Sequence, residues 1–205
     1  TWREWLKAEY PSGKWDAIAV PTPEERRATP NGVLHDPAKQ QRLVDFARYQ
    51  QQMMADCVCE LAKSVRQASR GKKLVVFFYG YGFEFGAVRN GPATSGHYGL
   101  RRVLNSADVD VLCSPISYFD RALAESGPVM SAAESVALAG KLWLCEDDTS
   151  THLSTGTAPG HKERVTNLGE TNALLARNVA QEALRNQASW WMELGATGWF
   201  DDPGM

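Results

Sequence analysis

Four short runs rich in β-branched and aromatic residues, separated by longer amphipathic segments, constrain this chain more than any other feature. They are "LVVFFYGYGF" from Leu74, "VDVLCSPISYF" from Val109, "KLWLCEDD" from Lys141 and "ASWWMELGATGWF" from Ala188. Their starts lie 32 to 47 residues apart, which is too far for hairpins and enough for a crossover helix between each pair. Parallel strands joined in this way leave two architectures, a doubly wound sheet or part of a (β/α)8 barrel. No G-x-G-x-x-G or G-x-x-x-x-G-K follows any run, so the nucleotide-binding version lacks its fingerprint. The expected fold is α/β of the (β/α)8 TIM-barrel type, with residues 1–205 as one domain and a Trp- and Pro-rich N-terminal segment over 1–35.

The intervening segments carry helix signals. "HDPAKQQ" opens a long helix, with Asp36 as N-cap and Pro37 in its first turn. Leu43, Phe46, Ala47, Met54, Cys57, Val58, Leu61, Ala62 and Val65 recur at helical spacing and predict one buried face. "SGHYGLRRVLNSA" and "GETNALLARNVAQEALRNQ" read as helices as well. In "MSAAESVALAG", Ser131 and Glu134 stand in capping-box spacing and Gly140 closes the helix. The first strand run is apolar at every position, which predicts a strand covered on both faces.

Composition narrows the partners. With 22 basic and 24 acidic side chains the formal charge is -2, which leaves no electrostatic footprint for nucleic acid or an anionic membrane. No secretory signal and no apolar stretch of spanning length is present, so no membrane partner is expected. Cys57, Cys59, Cys113 and Cys145 include no C-x-x-C pair and are expected as buried free thiols.

Chemistry-bearing side chains gather where the runs end, which is where parallel α/β folds hold their sites. Tyr79, Tyr81 and Glu84 follow the first run, and Ser114 and Tyr118 the second. Glu146, Asp147, Asp148 and His152 follow the third, and Glu193, Trp199 and Asp201 the fourth. Carboxylates among aromatic rings suit a carbohydrate substrate, whose C–H faces stack on rings and whose hydroxyls need acceptors.

The ordered set "WREWLKAEY", "VDFARYQQQMMADCVCELAKSVRQ", "LVVFFYGY" and "GKLWLCEDD" resembles the family 42 glycoside hydrolases, the β-galactosidase-like (β/α)8 enzymes. "SGHYGLRRVLNSADVDVLCSPISYF" and "WWMELGATGWFDDP" are most similar to uncharacterised relatives of that family. The resemblance covers nearly the whole chain and implies the C-terminal half of a barrel, strands five to eight. It further implies retaining hydrolysis of β-linked sugars by two glutamates, one after the fourth strand and one after the seventh. "KLWLCE" then stands as the seventh strand with Glu146 as nucleophile, and the acid/base Glu is expected upstream of Thr1. In such a pair the carboxyls sit about 5–5.5 Å apart, leaving no room for water between them. No cofactor is implied. A half-barrel exposes an apolar sheet face, so a homo-oligomer or association with the missing N-terminal half is expected.

The remaining candidates each have a plainer reading. Glu84 can bind a sugar hydroxyl or replace the missing acid, or it is a loop carboxylate. Tyr79 and Tyr81 can orient the nucleophile or stack on sugar, or belong to the core. His97, at an expected helix start, can donate to a substrate hydroxyl as a neutral imidazole, or be structural. Asp147 and Asp148 can contact substrate or cap a loop, and His152 can pair with a carboxylate or join a metal site. Trp190 and Trp191 point to opposite faces of a strand, so one can line the site while the other packs under a helix. Glu193, two residues beyond Trp191, and Trp199 complete the substrate-binding candidates with Tyr118.

Overall fold

A computed structural model describes residues 1–27, 35–88, 91–154, 165–193, 195 and 197–205. Positions 28–34 of the N-terminal segment, and Leu194 and Ala196 of the fourth run, lie outside the described residues. The four runs form β1 (Val76–Phe78), β2 (Val111–Pro115), β3 (Leu142–Asp147) and β4 (Ala188–Trp191). All neighbours are parallel and the spatial order is β1-β2-β3-β4, so the order never reverses and there is no topological switch point. The protein is therefore α/β with a four-stranded parallel sheet.

Eight helices accompany the strands among the described residues. α1 (Trp2–Glu9) and α2 (Pro23–Arg27) precede the long α3 (Pro37–Ala68). The short α4 (Gly82–Ala87), α5 (Gly91–Thr94) and α6 (Leu100–Leu104) follow β1, α7 (Ala133–Leu138) follows β2, and α8 (Leu168–Leu184) follows β3. The expected start of α3 is present: the Asp36 carboxylate accepts from the Ala38 N–H at 3.0 Å, and Pro37 is the first helical residue. Thr1 and Glu4 close a capping box on α1, whose Trp2 ring lies 5.3 Å from Phe46 and 5.4 Å from Tyr49 of α3.

Residue alternation divides the sheet into two unlike faces. Phe77, Leu112, Trp143, Cys145 and Asp147 share one face. Ala55, Val58 and Ala62 of α3, Val103 of α6, and Ala133 and Val136 of α7 join Leu112, Trp143 and Cys145 in one core. α8 reaches the same face, because Asn178 Nδ2 donates to Asp147 Oδ2 at 2.8 Å. The opposite face carries Val76, Phe78, Leu142 and Trp190, which remain 43%, 48%, 54% and 39% exposed.

Several expectations need correction, and most share this cause. β1 is not covered on both faces, because the helices lie on one side and β1 is a sheet edge. Of the face expected on α3, Leu43, Val58 and Ala62 are buried, together with Ala55, whereas Met54, Cys57, Leu61 and Val65 are exposed. Cys113 and Cys145 are buried free thiols, whereas Cys59 is half-buried. The helix expected over "SGHYGLRRVLNSA" shortens to α6, leaving His97 in the turn before it. Ser131 and Glu134 form no capping box: α7 begins after Ala132 without a side-chain cap. Gly140 does close α7, at φ +72°. No helix among the described residues is long and apolar enough to cross a membrane.

Candidate active site at the strand ends

β3 brings Glu146 to the C-terminal edge of the sheet, opposite Pro115 of β2 and Trp190 of β4. Its parity places it on the open face with Leu142 and Leu144, yet it is 6% exposed. The segments after β1 and β2 enclose it: Tyr81, Tyr118 and Asp148 all lie close enough for its charge to act on them or theirs on it. Among the described residues no donor reaches the Glu146 carboxylate. Burial and then the negative charge of Asp148 push its proton affinity above the usual carboxylate range. Cys113, beneath it and beside Trp190, is pushed up to about 11 by burial.

The other two acids of the cluster are fully engaged. Asp147 points to the helix face, where it accepts from Asn178 Nδ2 at 2.8 Å and from the Thr149 N–H at 3.0 Å. Asp148 returns to the open face. Its Oδ2 accepts from the Tyr118 hydroxyl at 2.9 Å and its Oδ1 from the Arg121 guanidinium at 2.5 Å. Arg121 is 1% exposed and its guanidinium stacks 4.4 Å from the Tyr118 ring centroid. Sequence reading did not single out Arg121; a lone arginine in "SYFDRALAE" gives no signal until the loop folds back on β3.

Of the two tyrosines at the β1 exit, Tyr81 is the one whose phenol lies near Glu146. Its phenol is held far above its ordinary range, first by burial and then by the thiol and carboxyl groups around it. Tyr79 has the opposite parity and belongs to the core, where its hydroxyl accepts the Gly99 N–H at 3.1 Å. Burial pushes that phenol up to about 12. His97 bridges the two rings, 5.3 Å from Tyr79 and 4.5 Å from Tyr81. Its Nδ1 accepts the Gly80 and Tyr81 N–H groups at 3.1 and 3.3 Å, so the ring proton resides on Nε2 and burial disfavours a second one. His97 thus holds the β1 exit in place.

Glu84 is buried and spent on the loop after β2. Its Oε2 accepts from the Ser117 hydroxyl at 2.7 Å and its Oε1 from the Tyr118 N–H at 3.2 Å. Glu193 performs the same service after β4, accepting the Gly198 and Trp199 N–H groups at 2.9 and 2.8 Å. Burial opposes its charge, but these bonds and those from Thr197 hold its carboxyl below the usual range. Trp199 is fixed through its carbonyl, which accepts from Thr151 Oγ1. His152 pairs with Asp202 at 3.2 Å and with Thr171 at 2.9 Å, remote from Glu146 in bonding terms. No group of three or more metal-ligating side chains occurs among the described residues. Trp190 accompanies Glu146, while Trp191 lies on the helix face of the edge strand β4 and remains 53% exposed.

A cavity of about 2080 Å³ lies elsewhere, between α3 and residues 86–88, 92–93 and 98–106, with Arg48, Arg101, Arg102 and Tyr98 in its wall. None of the strand-end candidates lines it. Glu146, Tyr81, Tyr118, Asp148 and Trp190 are the residues that the fold brings together. No protein-family model, curated protein or solved structure matches this chain.

Proposed function

We propose that this chain is the half of a (β/α)8 barrel carrying strands five to eight, and that the Glu146 pocket hydrolyses β-linked glycosides with retention. The observation that supports this reading best is Glu146 itself. It is the only buried carboxylate at the strand ends without a donor among the described residues, whereas Glu84 and Asp147 are occupied by the protein. Its oxygens are not among the fully sealed atoms that lack a partner, so the carboxylate is neither consumed by the protein nor shut off from an entering group. In the retaining scheme Glu146 attacks the anomeric carbon to form a glycosyl ester, and the acid/base comes from outside these 205 residues. Trp190 and the Tyr118 ring provide stacking faces for a pyranose, and Tyr81 a hydroxyl.

The sequential parallel order, with helices on one face and Val76, Phe78 and Leu142 bare on the other, supports the half-barrel part of the reading. A second half, or a second copy, would cover that face. A non-catalytic sugar-binding or assembly module is the alternative, favoured by the single open carboxylate.

A dinitrophenyl 2-deoxy-2-fluoro-β-glycoside tests the nucleophile directly, because so good a leaving group needs no general acid. The expected result is a stoichiometric mass increase on the peptide containing Glu146, abolished in Glu146→Gln, which keeps the shape and cannot form the ester. No label on that peptide, or equal labelling of the variant, sinks the reading.

A further inference from the structure

Charge is segregated in the cavity beside α3, and the overall formal charge of -2 conceals it. Arg26, Arg27, His35, Arg48, Arg101 and Arg102 line this cavity, and no aspartate or glutamate among the described residues does. The rest of its described wall is uncharged. We propose that the cavity is a binding site for a small multivalent anion, a molecule presenting two or more carboxylate or phosphate groups, and that it is separate from the Glu146 pocket.

The arginines of this region divide into two sets. Arg42 pairs with Glu25, Arg102 with Asp56, and Arg48 with Glu9 at 2.7 Å, and these pairs clamp α2, α6 and α1 onto α3. Arg26, Arg27 and Arg101 hold no acid among the described residues. Arg26 is half-buried, its Nε is sealed without an acceptor, and its Nη1 donates only to Gln50 Oε1, at 3.5 Å. Its Nη2 is neither sealed nor hydrogen-bonded among the described residues. His35 Nε2 lies 3.0 Å from the Arg26 carbonyl oxygen, which can only accept, so the end of α2 is tied to the segment that leads into α3. A guanidinium partly withdrawn from water without a carboxylate has given up hydration that an entering anion would replace. The three uncompensated cations stand on two separate elements, α2 and α6, so a ligand that meets both needs charge at more than one point. The volume of about 2080 Å³ allows such a length; pockets for a single compact metabolite hold roughly 300–1,000 Å³. The fork of an arginine fits carboxylate and phosphate oxygens alike, and the two groups share this recognition.

The test is isothermal titration calorimetry of the 205-residue chain at constant ionic strength, with tripolyphosphate as the phosphate probe and trigalacturonate as the carboxylate probe. Saturable binding of at least one probe at a single site is the expected result, and which of the two binds tells the source of the anionic group. Arg101→Gln removes an exposed charge that no acid holds, and it should weaken binding about tenfold, the worth of one hydrogen bond to a charged group. Arg26→Gln should weaken it at least as much. Lys63→Gln takes one exposed charge from α3 outside the cavity and should leave affinity within about twofold of the parent. Failure of both probes to saturate overturns the proposal. So does equal weakening by Lys63→Gln and Arg101→Gln, which marks diffuse attraction rather than a site. Should Arg26→Gln fail to fold, Arg101→Gln decides alone, since its side chain meets solvent. Glu146→Gln should bind the probe as the parent does. A glycosyl ester on Glu146 without anion binding would discard this site and keep the hydrolase reading, and anion binding without the ester would do the reverse.

Discussion

The two faces of one four-stranded sheet obey different rules. On the helix face the apolar side chains are sealed, with Leu112 at 0%, Trp143 at 3% and Cys145 at 1% exposure, and the buried Asp147 has two donors. On the other, Leu142 stands 54% exposed one residue from Trp143, while the neighbouring carboxylate Glu146 is buried without a donor. The difference teaches where structure ends and function begins. The helix face is sealed in packing, although Trp143 Nε1 and Glu182 Oε1 find no partner there among the described residues, whereas the other face is open both in packing and at the Glu146 carboxylate.

The sharpest way to break this contrast is a pair of truncations, one on each face. Trp143→Ala should lower the unfolding free energy of the isolated chain by about 3–5 kcal/mol, the range for deleting a fully buried aromatic side chain. Leu142→Ala, on the open face, should cost less than about 1 kcal/mol, since the side chain already meets water. Urea denaturation of both variants decides. If Leu142→Ala proves as costly as a core truncation, the open face is covered in solution, and its cost should then fall with dilution if a second copy provides the cover.

Much of this asymmetry was legible in the sequence, and the reason it was only partly so is physical. Strand positions, the Asp36–Pro37 start of α3 and the placing of Glu146 at a strand terminus all follow from local periodicity and capping chemistry. Burial is not local. "LVVFFYGY" is apolar throughout, and periodicity alone gives no means of telling that Val76 and Phe78 face outward, because nothing in those residues reports which side the helices take. The capping box at Ser131 and Glu134 has the right spacing, but the helix starts one residue too late for the serine to cap it. Glu84, Glu193 and His97 carry the right chemistry for substrate contact. Folding instead commits them to backbone N–H groups and a serine hydroxyl that only tertiary structure brings near. Arg121 was invisible for the same reason.

A second, smaller effect probes the sealed face with pH. Glu182 of α8 is 4% exposed, and its Oε1 has no partner among the described residues. Burial, with the charge of Asp147 adding to it, raises its carboxyl from 4.5 to about 7. Between those two values the folded chain holds a proton that the unfolded chain has released, so stability falls as pH rises through the interval. Each tenfold gain in proton affinity corresponds to about 1.4 kcal/mol, so the loss by pH 8 is about 3 kcal/mol. Glu182→Gln should remove that slope, matching the parent near pH 4.5 and exceeding it at pH 8. Thermal melts across this range check it, and an unchanged slope would mean that Glu182 is hydrated in solution.

The smallest effect compares two tyrosines two residues apart. The Tyr79 hydroxyl accepts the Gly99 N–H at 3.1 Å inside the core, and that acceptor is part of what holds the segment before α6 against β1. Tyr79→Phe leaves the amide without its partner and should cost about 1 kcal/mol, the usual net value of one hydrogen bond. The Tyr81 phenol faces Glu146 and forms no hydrogen bond among the described residues, so Tyr81→Phe should alter stability by less than about 0.5 kcal/mol. On the hydrolytic reading the order inverts for turnover of Glu146 to its glycosyl ester: Tyr81→Phe slows labelling by the activated fluoroglycoside and Tyr79→Phe does not, because of the two only Tyr81 lies beside Glu146. Measuring stability and labelling rate on both variants separates the faces at the resolution of one oxygen atom. Equal behaviour of the two tyrosines in both assays would show that the parity of the β1 exit does not divide core from site.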